Sequence, residues 1–384
     1  MRKRALTIAC VAVLTATIAA VVHWYPSGPE RVGAAPAPCG YAIGVLGPLT
    51  GAAAFALPAK RAVQLAVDGY NKGKESSCLV VKAFDTATDA PSAAQAAVDD
   101  KTVVGIVGPM ASGGADVVGA LLDSAGLSMI TPSASAPDLS TQGWKTFHRA
   151  VSSDAVQGPA AAAYLKSVLK ATKVYVLDDA SPYGSDLAED VAARLQQAVV
   201  DRSHTDMDGL KSDLRATVLR IKSSQATALY YGGFPGSAGL LRKQLTAAGW
   251  NGVMISGDGI KDAEFVERAG NAAAKGTVVT CLCMPADEMT GTFVGAFRAR
   301  WNSEPDGYAG YAYDAASIFV RGLAAGKVTR QEINDQVSAN PYVGVAGTYR
   351  FTSAGELVDQ DSRAWIYKVD ANGQFVPDRR APTA

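Results

Sequence analysis

Three loops within the first 137 residues combine hydroxyls, glycines and other small residues. They are Gly47-Pro-Leu-Thr-Gly-Ala-Ala-Ala-Phe55, Gly108-Pro-Met-Ala-Ser-Gly-Gly114 and Thr131-Pro-Ser-Ala-Ser-Ala-Pro137. The second and third are expected to run directly into helices. A helix N-terminus presents unpaired N–H groups and the positive end of its dipole. Ser112 and Ser135 add hydroxyls there, so a carboxylate could be held. The same serines could serve only as helix caps. Later in the chain Asp258 stands between two glycines, just past the apolar run Gly252-Val-Met-Ile-Ser256. A carboxylate at that place can pair with a ligand ammonium, or simply shape an Asp-Gly turn. Tyr183, in Asp178-Asp-Ala-Ser-Pro-Tyr-Gly, and Phe234, in Tyr230-Tyr-Gly-Gly-Phe-Pro-Gly, can wall a pocket or only pack.

Signatures of catalysis are missed at specific positions. The histidines His23, His148 and His204 stand apart and fit no metal or triad spacing. Pro235-Gly-Ser237-Ala-Gly has Pro235 where a nucleophile elbow needs glycine. Gly257-Asp-Gly259-Ile-Lys-Asp262 has Asp262 where the dinucleotide fingerprint ends in glycine. No cofactor, metal or catalytic residue is therefore expected. Cys39 and Cys78 each precede a strand-like run, and a bridge between them is a candidate if those strands are parallel neighbours. Cys281 and Cys283 alternate along a strand and should share a face, where a buried pair of small apolar side chains is preferred to a metal site.

The elements that must position these loops follow from periodicity. Strands are expected at Tyr41–Leu46, Leu79–Phe84, Val103–Val107 and Leu127–Ile130. Helices are expected at Ala59–Lys72, Pro91–Lys101 and Gly114–Ala125. The pattern restarts with a helix over Asp154–Leu169 and continues with strands at Lys173–Leu177, Ala228–Tyr231, Gly252–Ser256 and Thr277–Cys283. Helices at Gly184–Ala198, Ala238–Ala248 and Tyr308–Ala325 accompany them. Gly347–Phe351 and Ala364–Val369 look like closing strands. Alternating β and α units imply parallel sheets covered on both faces. Two such sets give an α/β fold of two doubly wound parallel-sheet lobes joined by multiple crossovers. The expected division is residues 39–153 with 281–345 as lobe 1, 154–280 with 346–378 as lobe 2, and 379–384 as a tail. Ligands bind beyond the carboxyl ends of strands in such sheets, which is where the loops above fall.

The chain has 384 residues, 48% of them hydrophobic and 19% charged, with zero formal net charge. That length favours two domains, and the balance gives no basic excess for nucleic acid. Met1-Arg-Lys-Arg4 followed by the charge-free run Ala5–Val22 reads as an export signal or a membrane anchor, with the Pro- and Gly-rich stretch to residue 38 as its linker. The basic end should stay cytoplasmic, which places the rest outside, secreted or held at the outer face of the membrane by the segment or by a lipid.

Taken in order, Gly-Pro-Leu-Thr-Gly, Val-Gly-Pro-Met-Ala-Ser, Met-Ile-Thr-Pro-Ser-Ala-Ser, Gln157-Gly-Pro, Tyr183-Gly, Tyr-Tyr-Gly-Gly and Tyr308-Ala-Gly-Tyr-Ala-Tyr-Asp-Ala-Ala resemble the type I periplasmic binding proteins. Within them the likeness is to the leucine/isoleucine/valine substrate-binding components of ABC importers, from about Tyr41 to about Val369. The resemblance implies that Ser112 and Ser135 bind a ligand α-carboxylate, that Ser133 and Ala134 offer backbone groups, and that Asp258 pairs with the α-ammonium. It makes Tyr183 a wall residue, puts Phe234 and Phe55 near two others, and has Tyr308 and Tyr311 flank a further aromatic position. It also implies a monomer that carries a small amino-acid-like ligand to a membrane permease by hinge closure. Departures are Gly113-Gly114 where serines are frequent, Asp258 where glutamate is usual, and Phe234 where tyrosine is usual. A ligand-sensing module reporting to a partner protein, or an extracellular hydrolase on the same scaffold, are the competing expectations.

Overall fold

The computed structural model describes residues 39–51, 55–74, 78–205, 213–358 and 364–382. The export or anchor segment and His23 lie outside them. Among the described residues no helix is long and apolar enough to cross a membrane.

The first lobe is built from β1 (Tyr41–Gly47), α1 (Leu57–Asn71), β2 (Leu79–Asp85), α2 (Ala90–Asp99), β3 (Val103–Val107), α3 (Ser112–Ser124), β4 (Met129–Thr131) and β5 (Phe147–Arg149). Its five strands are all parallel, in the order β2-β1-β3-β4-β5. β3 is buried along its whole length, as a strand covered by helices on both faces must be. α1 carries Pro58 in its first turn, where proline is tolerated, and turns Ala59, Ala62, Val63, Ala66, Val67 and Tyr70 inward.

After α4 (Asp154–Ala163) the second lobe follows as β6 (Val174–Asp178), α5 (Pro182–Leu195), β7 (Val199–His204), α6 (Arg215–Ser223), β8 (Ala228–Gly232), α7 (Pro235–Ala247), β9 (Val253–Ser256), α8 (Ala263–Ala269), α9 (Asn271–Ala274) and β10 (Val278–Cys281). The chain then returns to the first lobe with α10 (Phe293–Trp301), α11 (Ala309–Ala324), α12 (Arg330–Ala339), β11 (Tyr342–Val343) and β12 (Thr348–Tyr349). It ends in the second lobe with β13 (Trp365–Val369) and β14 (Phe375–Arg380). The second sheet runs β14-β13-β10-β9-β8-β6-β7, parallel except for the antiparallel edge formed by β13 and β14.

Several elements differ from the sequence reading. Residues 348–349 pair only with 342–343 in a two-stranded unit and do not close the second sheet. Ala346, Tyr349 and Phe351 pack into the first lobe's core with Ile43, Val63 and Phe319, whereas the sequence division grouped them with lobe 2. The strand at Val278 stops at Cys281 because the structure joins Cys281 to Cys283 in a disulfide, and the Cys283 N–H folds back to Cys281 Sγ at 3.1 Å. The sequence left open whether these two cysteines are free; they form a buried pair that is bonded. A disulfide also links Cys39 to Cys78 at the neighbouring starts of β1 and β2. The loop after β4 leads into a short 3-10 turn, Pro137–Thr141, and not into an α-helix. There Ser140 and Thr141 give their hydroxyl protons to the carbonyls of Pro137 and Asp138, a local alternative to helical bonding.

Candidate ligand-binding site

The loops at the carboxyl ends of both sheets face each other around one cavity of about 350 Å³. From the first lobe it is lined by Phe55, Met110, Ser112, Ser133 and Ser135, among others. The second lobe contributes Asp179, Tyr183, Phe234, Asp258 and Lys261, and the stretch between β10 and α11 contributes Cys283, Asp306 and Tyr308. The Phe55 and Phe234 rings stack across it, 6.5 Å apart and 20° from parallel. Near its rim the position a Cβ would take on Gly113 lies 3.6 Å from Pro182 of the other lobe.

The first-lobe wall is two loops stitched together. Gly108 enters at φ +127, and a Cβ there would strike the Leu46 carbonyl, so only glycine lets the loop leave β3 beside β1. Thr131 Oγ1 donates to the Pro109 carbonyl at 2.7 Å and accepts the Ala134 N–H at 2.8 Å. Ser133 Oγ donates to the Met110 carbonyl at 2.7 Å. Ser112 is the first residue of α3 and does not cap it. Its Oγ accepts the N–H groups of Ser135 at 3.2 Å and Ala136 at 3.1 Å. A hydroxyl has two acceptor lone pairs and one proton, so what Ser112 has left to offer is its O–H. The first helical bond of α3 runs from the Ala115 N–H to the Ala111 carbonyl. The N–H groups of Ser112, Gly113 and Gly114 precede it and have no partner within the helix.

Ser135 differs. Its Oγ donates to Asp154 Oδ2 at 3.0 Å, so the capacity it retains is that of an acceptor. Burial, reinforced by the charge of Asp258, pushes the Asp154 carboxyl up to about 8. Ala134 does not reach the cavity: it is buried in the first lobe, its N–H is held by Thr131, and its carbonyl accepts from Arg149 at 3.3 Å. Tyr311 is likewise a core residue, donating to the Leu282 carbonyl at 3.2 Å.

On the opposite wall Asp258 Oδ1 accepts from Gln157 Nε2 at 2.8 Å and from the Tyr183 hydroxyl at 2.7 Å. Tyr183 in turn accepts the Gly259 N–H at 3.1 Å, so it orients the acid as well as lining the cavity. Asp258 Oδ2 meets only Cys281 Sγ, 4.0 Å away, a disulfide sulfur with no proton to give. Burial raises the Asp258 pKa, opposed by the bonds from Gln157 and Tyr183. Asp179 is occupied by Ser181 (2.5 Å from Oγ and 3.0 Å from N–H) and by the Phe234 N–H at 2.9 Å.

Lys261, Asp179, Asp306 and Gln157 were not picked out as site residues from the sequence. Gln157 belongs to a motif quoted for the family resemblance, and Lys261 lies three residues beyond Asp258. The other two carry no sequence signal that separates them from turn-forming acids. Among the described residues no group of three or more His, Cys, Asp or Glu side chains is placed to hold a metal ion.

Two α/β lobes closing on a polar, aromatic-walled cavity define a two-lobed solute-binding protein. The chain belongs to the periplasmic binding protein family, which it matches over residues 40–374. It is 34% identical over 279 residues to the Leu/Ile/Val-binding protein BraC3 of Rhizobium johnstonii, covering 70% of this chain and 72% of the relative. It is 27% identical over 339 residues to the leucine-, isoleucine-, valine-, threonine- and alanine-binding protein of Pseudomonas aeruginosa, covering 86% and 90%. The fold superposes on the substrate-binding protein LivJ of a Streptococcus pneumoniae branched-chain amino acid transporter, solved with isoleucine. There the TM-score is 0.81 with 24% identity, over 89% of this chain and 99% of that one. These relatives are binding proteins of an exported family.

Proposed function

We propose that the chain binds a free α-amino acid between its lobes and hands it to an ABC permease. The observation that supports this most is the pairing of two unlike poles in one cavity. The Ser112 O–H and the α3 N–H groups suit a carboxylate. Asp258 Oδ2, with Ser135 Oγ as a second acceptor, suits an ammonium. The aromatic rings of Phe55, Tyr183 and Phe234 are left for the side chain. Ser133 keeps a structural role, because its hydroxyl already bridges the two loops.

The reading extends to binding without turnover. Both lone pairs of Ser112 Oγ are filled by N–H donors, which favours a hydrogen-bond donor over a nucleophile. The relatives' names point the same way. The basic start and charge-free run of residues 1–22 are taken to deliver the folded part to the outer face of the membrane, where it acts as a monomer.

Titration calorimetry against a panel of free amino acids tests the claim. Asp258→Asn is expected to weaken binding of the best ligand by about 1.5–3 kcal/mol, the range for hydrogen bonds to charged groups. Unchanged affinity in that variant would sink the ammonium site.

A further inference from the structure

The cavity wall carries two polar groups that the amino-acid reading leaves unused. One is the Lys261 ammonium. It lines the cavity and has no hydrogen bond or ion pair to any described residue. Its contact is with the face of Tyr367, 4.7 Å from the ring centroid. The other is the Tyr308 hydroxyl, buried and without a partner although its residue also lines the cavity. They share one side: Lys261 Nζ lies 3.6 Å from the position a Cβ would take on Gly307, the residue next to Tyr308. Both therefore sit by the loop that leads into α11.

Asp306, Asp258 and Asp262 bring negative charge near Lys261, but none of them makes a hydrogen bond or ion pair with it. Asp306 accepts the N–H groups of Tyr308 at 2.9 Å and Ala309 at 2.8 Å. Asp262 accepts the Glu264 N–H at 2.8 Å, and Glu264 pairs with Arg268 at 3.3 Å. The buried Tyr308 hydroxyl has no hydrogen bond, so it loses hydration with nothing in return, and the half-buried Lys261 ammonium also lacks a hydrogen bond. An oxygen acceptor supplied by the ligand would restore it to both.

We infer that Lys261 and Tyr308 form a second polar pole that receives an oxygen at the far end of the ligand. The preferred ligand is then an amino acid whose side chain ends in a carboxylate or amide carbonyl, not in hydrocarbon. This rests on the amino-acid reading above and narrows it.

Calorimetry on the purified full chain with leucine, glutamine, glutamate and lysine tests the inference in wild type, Lys261→Met and Tyr308→Phe. Glutamine or glutamate is expected to bind wild type at least about tenfold more tightly than leucine, the scale of one hydrogen bond to a charged group. That ratio should collapse in Lys261→Met and shrink by about threefold in Tyr308→Phe, where one neutral hydrogen bond is lost. Leucine or lysine as the best wild-type ligand would overturn the inference while leaving the amino-acid site standing. A ratio unmoved by both substitutions would do the same. Wild type that melts cooperatively yet binds none of the four would overturn the amino-acid reading itself. Should Lys261→Met fail to fold, Tyr308→Phe carries the comparison, since it removes one oxygen from an otherwise unchanged ring.

Discussion

Asp154 stands behind Ser135 with one carboxylate oxygen accepting from the serine and the other, Oδ1, buried without a partner. A carboxyl whose pKa rises from its ordinary value to about 8 on folding binds more protons in the folded state than in the unfolded one between those two values. Stability from this group is therefore complete below the unfolded pKa and is lost as pH rises through about 8. Asp154→Asn removes the ionisation and keeps an oxygen for Ser135. Urea unfolding should place the variant further above wild type at pH 9 than at pH 5.5; a constant gap would refute the assignment. The same residue bears on specificity, because Asp154 turns Ser135 from a donor into an acceptor. Ser112 and Ser135 are alike in the sequence. Their hydroxyl chemistry differs because one meets two amides and the other a carboxylate.

At the scale of elements, the first-lobe wall depends on a residue far from it. Arg149, at the end of β5 and fully buried, donates to the carbonyls of Ala136 at 2.7 Å and Ala134 at 3.3 Å. Its charge is balanced by Glu356, through a pair to Nη2 and a 3.3 Å contact to Nε. The Arg149 N–H also bonds the neighbouring Gly355 carbonyl at 2.9 Å. Residues 352–358 thus clamp the strand that leads into the second lobe. Glu356→Ala leaves a buried guanidinium unpaired and should cost about 3 kcal/mol of folding stability, as broken buried pairs do. Denaturant titration reads this directly, and a loss below about 1 kcal/mol would mean that solvent reaches Arg149. The clamp was not legible in the sequence. Arg149 and Glu356 are 207 positions apart, and local periodicity carries no information about such pairing. The long amphipathic helices and apolar strands were legible, because each buries a face whose period is local. β5, β7 and α6 are short or polar, and they exist through neighbours in the sheet or on its surface.

For the whole molecule, the Phe55–Phe234 stack and the approach of Gly113 to Pro182 show the two lobes drawn together. An opening that frees the ligand is expected to separate them, by rotation at the crossovers near residues 150–153 and 282–292. Small-angle scattering should record a smaller radius of gyration with saturating ligand than without. Phe234→Ala should speed ligand release about two- to tenfold, the worth of one aromatic pair. A release rate unchanged from wild type in stopped-flow measurements would show that the stack does not latch the cleft. The amino-acid order by itself determined two βα sets, the loops that gather at the strand ends, and the residue types available there, because these follow from local period and turn chemistry. Only the tertiary structure decided which of those residues meet. It turned Ala134 away from the cavity, made Tyr183 the support of Asp258, joined Cys281 to Cys283, and brought Lys261 beside Tyr308. Apart from the local Cys281–Cys283 bridge, each of these outcomes depends on segments distant in sequence arriving at one place, and that is a property of packing.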